Sequence, residues 1–116
     1  MAREYIAEVE NEKAIAHLEE ALKTFAFEPE LHRMAGLAYS NLGDHLMAIE
    51  HFKKALILEP SHHQTWWNLG NVYEMKGQFK DARDAYDQAA EVALSEDPVK
   101  ADRYREWSKK VPRSLR

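Results

Sequence analysis

Two stretches of the chain, residues 29–60 and 63–94, carry one pattern twice at a spacing of 34 positions. In the second, Trp66, Leu69, Gly70, Tyr73, Gly77, Ala82, Tyr86 and Ala89 stand opposite His32, Ala35, Gly36, Tyr39, Gly43, Ala48, Phe52 and Ala55, and five of the eight pairs are identical. A repeat of this length is one supersecondary unit. It cannot bury its own apolar face, so neighbouring units must stack into a quasi-one-dimensional array.

Periodicity shows what the unit is made of. Leu31, Met34, Ala35, Ala38, Tyr39 and Leu42 fall at spacings of three and four, as a helix with one buried face requires. Gly43 and Asp44 then stop that helix and start another, because glycine readily takes the left-handed conformation of a helix end and aspartate is a favoured N-cap. A second helix runs through Met47, Ala48, Phe52, Ala55, Leu56 and Leu58 to Pro60, and Ser61 with Gln64 predicts a capping box for a third. Gly77 repeats the break. Gly36, Gly70, Ala48, Ala55, Ala82 and Ala89 are small where paired helices must approach, and Tyr39, Phe52, Tyr73 and Tyr86 fill the remaining space.

The pattern W-x2-L-G-x2-Y followed by Ala, an aromatic and Ala resembles the tetratricopeptide repeat (TPR) family, whose unit is a helix-turn-helix of 34 residues. The resemblance implies an all-α fold, an α-solenoid of stacked repeats closed by a C-terminal capping helix. We expect a single domain over residues 1–116: a truncated first repeat at 1–28, repeats at 29–62 and 63–96, a capping helix at 97–112 and a tail at 113–116. Tyr5, Ala14, Leu18 and Ala21 lie on the first repeat's pattern, which lacks its opening residues, an arrangement that leaves open whether the chain is a fragment of a longer one. Val9 stands where later copies have Gly43 and Gly77. Asn11 is a candidate cap, so a turn is expected there, with one continuous helix as the alternative. Downstream, Asp97 and Pro98 start a last helix whose apolar stripe is read as Ala101, Tyr104, Trp107 and Val111.

Composition excludes several functions. Without cysteine there are no disulfides, thiolate metal sites or cysteine nucleophiles. No apolar run approaches membrane-spanning length and the N-terminus lacks a secretory core, so a soluble, cytoplasmic protein is expected. Residues 1–98 hold nine basic and eighteen acidic side chains, net −9, whereas residues 99–116 hold seven and two, net +5. The basic residues are spread around the last helix, which suits a solvated cap better than a nucleic-acid or membrane contact. There is no nucleophile elbow, phosphate loop or zinc-helix motif, and the six histidines contain no pair four residues apart, so neither an enzyme nor a metal or other cofactor is expected.

Function is then expected on the stacked surface. The resemblance implies that the first helix of each pair lines a concave face holding a peptide or partner helix. Helix geometry places Arg33, Met34, Leu37 and Asn41 there in one repeat and Gln64, Trp67, Asn68, Asn71 and Met75 in the next, with Arg105 and Lys109 added if the last helix continues the array. Trp66 is assigned to internal packing and Trp67 to the groove, while Asn68 and Asn71 offer amides to a peptide backbone. Filling of the groove by the terminal helix is the alternative. The carboxylate clamp of the family's chaperone adaptors would fall on Arg33, Leu37, Asn68, Pro98 and Asp102, where only Asn68 matches outright, or one repeat earlier, with its first position lost to truncation, on Arg3, Met34, Gln64 and Asn68, so that ligand is not expected. The expected function is a non-catalytic protein-interaction scaffold. The alternatives are a substrate-recruiting segment of a larger enzyme, as in arrays that precede glycosyltransferase domains, and homo-oligomerisation through the N-terminal repeat.

Overall fold

The computed structural model describes residues 2–112, and side chains from Ala7 onward. Tyr5, Arg3 and the tail at 113–116 therefore lie outside the described side chains. Among the described residues the chain forms α1 (Ala2–Thr24), α2 (Pro29–Asn41), α3 (His45–Leu58), α4 (His63–Met75), α5 (Phe79–Ala93) and α6 (Pro98–Lys110), with no strand. The fold is an all-α helical repeat. The helices fall into two compact units, Met1–Leu58 and Glu59–Arg116.

Both glycine breaks form as their composition demands. Gly43 and Gly77 have φ of 81° and 82°, and the residues after them donate backbone N–H groups to Tyr39 O and Tyr73 O at 2.9 Å, closing the helix ends. Asp44 caps α3 by accepting from Met47 N at 3.3 Å. Asp97 caps α6 by accepting from Lys100 N at 3.1 Å, with Pro98 in the first turn. The cap of α4 differs from the expected capping box. His62, not Ser61, is the N-cap, and its Nδ1 accepts from Thr65 N at 3.3 Å and from the Thr65 hydroxyl at 2.8 Å. Thr65 is fully buried there, which fixes the turn more firmly than an exposed serine would.

In the first unit α1 packs on α2 and α2 on α3. Leu18 and Leu22 of α1 meet Ala35, with Leu31 alongside. The expected turn near Val9 is absent, and α1 continues unbroken through it. Without glycine or proline the segment around Asn11 has only good or tolerable helix formers. The Asn11 side chain behaves accordingly, donating to Ala7 O one turn back at 2.9 Å and accepting from Asn41 Nδ2 at 3.3 Å rather than capping a new helix.

The helix pairs are set by one recurring contact. Phe52 and Tyr86, both fully buried, press against Gly36 and Gly70; a Cβ on Gly36 would sit 2.6 Å from the Phe52 ring, and one on Gly70 2.5 Å from the Tyr86 ring. Only glycine lets α2 approach α3, and α4 approach α5, this closely. In the second unit α5 also packs on α6, through Ala89, Ala90 and Ala93 against Ala101 and Tyr104. The buried face of α6 is Ala101, Tyr104 and Ser108, continued by Val111, whereas Trp107, expected on that face, is 43% exposed. Spacings of three, four and three keep those four in line, and Trp107 falls one position to the side.

Gly36→Ala is expected to cost about 1–3 kcal/mol through overpacking. In a Phe52→Leu background the same alanine costs less, since the smaller side chain leaves room. Urea denaturation of the four proteins of this cycle checks it, and equal cost in both backgrounds contradicts the contact.

Candidate interaction site

Trp66 and Trp67 follow each other on α4, so their side chains leave the helix about 100° apart. Both are half-buried against the alanine and Tyr104 cluster. Trp66 donates its indole N–H to Pro60 O at 2.9 Å, which ties the helix to the chain before it. Trp67 lies among three aromatic rings, with centroids 5.1 Å from Tyr86, 5.6 Å from Tyr104 and 5.3 Å from Trp107, the last edge to face. The separation into a packing tryptophan and a groove tryptophan is thus not made. Trp67 joins α4, α5 and α6, because the terminal helix brings Tyr104 and Trp107 onto the flank that α4 leaves open.

That closure is incomplete. A cavity of about 620 Å³ remains beside α4 and α6, lined by Gln64, Trp67, Val99, Arg103, Trp107 and Lys110 among others. Trp67, Trp107 and Val99 make its walls apolar. Two acids at the margin have cationic neighbours on their own helix, Asp102 with Arg105 and Glu106 with Lys109, each at 3.7 Å. Lys100, Arg103 and Lys110, also lining the cavity, make no ion pair with another described residue. The cavity therefore combines aromatic walls with a charged rim of three cations, Lys100, Arg103 and Lys110, and two acids, Asp102 and Glu106.

Of the residues expected in the groove, Gln64 and Trp67 line this cavity, whereas Arg105 and Lys109 do not. Asn68 is half-buried, and Met75 is exposed. Asn71 is not a free amide: its Oδ1 accepts from the Tyr86 hydroxyl at 2.7 Å, and the same hydroxyl lies 2.8 Å from Glu74 Oε1. Burial, then the Glu74 carboxylate, push the Tyr86 phenol well above its ordinary value, so it stays a donor. In the first unit Met34 and Leu37 are exposed, Arg33 is half-buried and ion-paired with Glu30, and Asn41 is held by Asn11. Val99, Lys100, Arg103, Trp107 and Lys110 were not expected at a site. The segment's basic composition was visible, but which flank of α6 faces α4 depends on how α6 docks.

The sequence matches the tetratricopeptide repeat family over residues 1–58 and again over residues 33–98. The chain belongs to that family. A 57-residue stretch is 30% identical to the uncharacterized protein MJ0572 of Methanocaldococcus jannaschii, covering 49% of this chain and 66% of that protein, just under two thirds of its length. Among solved structures, the TPR domain of Sgt2 from Aspergillus fumigatus superposes with a TM-score of 0.76 at 24% identity, over 96% of this chain and 80% of that one. The Yersinia enterocolitica type III secretion translocator chaperone SycD superposes with a TM-score of 0.78 at 12% identity, over 86% of this chain and 72% of that one. SycD in complex with a peptide of the translocator YopD gives 0.74 at 13%, over 86% and 80%. At these identities the structural likeness speaks for the fold alone.

Trp67→Ala is expected to lower the unfolding free energy by about 3 kcal/mol, the low end for a core aromatic, with Trp66→Ala comparable. Trp107→Ala loses one edge contact and costs about 1 kcal/mol. Urea denaturation ranks the three, and a Trp67→Ala protein as stable as wild type would restore the groove-side assignment.

Proposed function

We propose that this TPR domain is a non-catalytic protein-interaction module, holding a peptide or a helix of a partner protein against α4 and α6. The observation that carries this is the cavity beside α4 and α6, walled by Trp67, Trp107 and Val99 and bordered by Lys100, Arg103 and Lys110. A concave apolar site with a few placed polar groups is the ordinary composition of a binding site. SycD, which shares the fold, has been solved with a peptide of its translocator, and that supports the same class of ligand here. On this proposal the partner is a protein rather than nucleic acid or membrane, and the setting is the cytoplasm. No helix among the described residues is long and apolar enough to cross a membrane. Affinity capture from cell extract with wild type and with the double variant Trp107→Ala, Arg103→Ala tests it. Both proteins should be folded, and a partner held by wild type should be lost from the variant; an identical set of captured proteins rejects the site.

One observation favours self-association as a second reading. The unbroken α1 prevents its first turns from folding back on Ala14 and Ala21, half-buried residues of the face that the repeat pattern pairs with a preceding helix; Leu18, on the same pattern, already packs on α2. In a dimer each copy's α1 would supply that helix to the other. Replacing Val9→Gly and Glu10→Asp introduces the break used at Gly43 and Asp44 and should reduce dimer. Light scattering over a concentration series reads this, and a wild type that stays monomeric at high concentration excludes it.

A further inference from the structure

The first unit contains a chain of polar groups, buried at its two histidines and half-exposed at Glu19, that the interaction reading does not use. His32 of α2 and His51 of α3 are 6% and 3% exposed, with their Nδ1 atoms 3.1 Å apart. Outward from that contact, His32 Nε2 is 2.9 Å from the carbonyl oxygen of Ala26, and His51 Nε2 is 3.3 Å from Glu19 Oε2 on α1. Tyr39 donates its hydroxyl to the same carboxylate oxygen at 2.7 Å, and its ring stacks on His51 at 5.5 Å and 9°. Nineteen positions separate the histidines in sequence, so no helical spacing announces the pair.

Counting hydrogens limits what this chain can hold. The Ala26 carbonyl and the Glu19 carboxylate only accept. His32 must therefore carry its hydrogen on Nε2, and the Nδ1 to Nδ1 contact has room for one hydrogen between two nitrogens. Two neutral rings supply those two hydrogens and leave His51 Nε2 bare against Glu19, at the longest of the three contacts. A third proton on His51 Nε2 completes the chain with one positive charge beside Glu19. A fourth has no place: it would set two N–H groups against each other at 3.1 Å.

We propose that His32 and His51 form an acid-sensitive latch on the packing of α1, α2 and α3, which accommodates one added proton and opens when both imidazoles are charged. The surrounding charges agree in direction. Burial holds the His51 imidazole below its ordinary value against the pull of Glu19, and His32 and Lys54 push the same way as burial. The Tyr39 hydrogen bond, opposed by burial and aided by His51 and Lys54, holds Glu19 below the usual carboxylate value, so Glu19 remains an acceptor. Burial and Glu19, with Asp44 and Glu50 behind them, push the Tyr39 phenol up to about 12, so it remains a donor. An unconstrained imidazole protonates near pH 6.5. Below that the unfolded state binds more protons than the folded one, so the stability present above this pH is lost as the pH falls. Opening releases Glu19, and with it the middle of α1, from α2 and α3.

The repeat provides its own control. At the 34-residue spacing His32 and His51 correspond to Trp66 and Ala85, a large and a small side chain in place of two of middle size. The double variant His32→Trp, His51→Ala should fill the same space without titrating, while His17, His45, His62 and His63 remain in both proteins. Urea midpoints are measured from pH 8 to pH 5. Below about pH 6 the folding equilibrium constant of wild type should fall by up to about tenfold more per pH unit than that of the variant, as one excluded proton requires. Parallel profiles overturn the latch. Should the variant not fold, ¹⁵N-imidazole spectra of wild type decide. A single Nδ1 hydrogen shared between the rings until α1 loses amide protection supports the proposal, and two protonated Nδ1 atoms with α1 still protected refute it.

Discussion

The close approach of glycine to an aromatic ring governs both helical hairpins. Phe52 against Gly36 and Tyr86 against Gly70 set the distance between paired helices, because each ring occupies the space that a Cβ at the facing position would need. The small residues at Ala48, Ala55, Ala82 and Ala89, all buried, follow from that distance. Larger side chains at these positions would hold the helices apart and leave the rings unsupported. The glycines at the turns do different work, since nothing lies near Gly43 or Gly77 and their role is the left-handed backbone that reverses the chain.

Once the hairpins have formed, each unit has one exposed flank left to cover, and the two solve it with different chemistry. In the second unit α6 lays Ala101 and Tyr104 over the alanines of α5 and surrounds Trp67 with aromatic rings. Its burial and the charge of Asp97 raise the Tyr104 phenol, whose oxygen is 2.9 Å from His63 Nδ1. Trp107 is too far around the helix to be buried with them, and its partial exposure leaves the apolar cavity open. In the first unit α1 is the cover. It is held by Leu18 and Leu22 and by a carboxylate that reaches across to Tyr39 and His51.

The two repeats thus reach similar packing by unlike means at one pair of positions. Trp66 with Ala85 is insensitive to pH, and its single polar group is satisfied by a nearby carbonyl. His32 with His51 fills its position with groups that must be hydrogen-bonded to be buried at all, and the number of hydrogens they share depends on proton concentration. Repeat symmetry makes the contrast visible, because the same backbone carries both solutions.

Much of this architecture is legible in the residues taken singly. The 34-residue spacing, the glycine breaks, Asp44 and Asp97 as caps and the small positions facing rings all state local or nearest-neighbour requirements, and each is met. What the sequence left open concerns choices between states of nearly equal local energy. Residues around Asn11 suit a helix almost as well as a turn, so contact with α2 and the absence of a breaker decide for the helix. Helical periodicity puts Trp67 on an open flank of α4, yet only the docking of α6 determines that the flank is shared with Tyr104 and Trp107 and that Arg103 rather than Arg105 lines the cavity. The histidine pair belongs wholly to tertiary structure: a residue's type and spacing determine which face of its own helix it occupies, but the partner it meets there depends on the distance and rotation between helices, which only the packed core specifies.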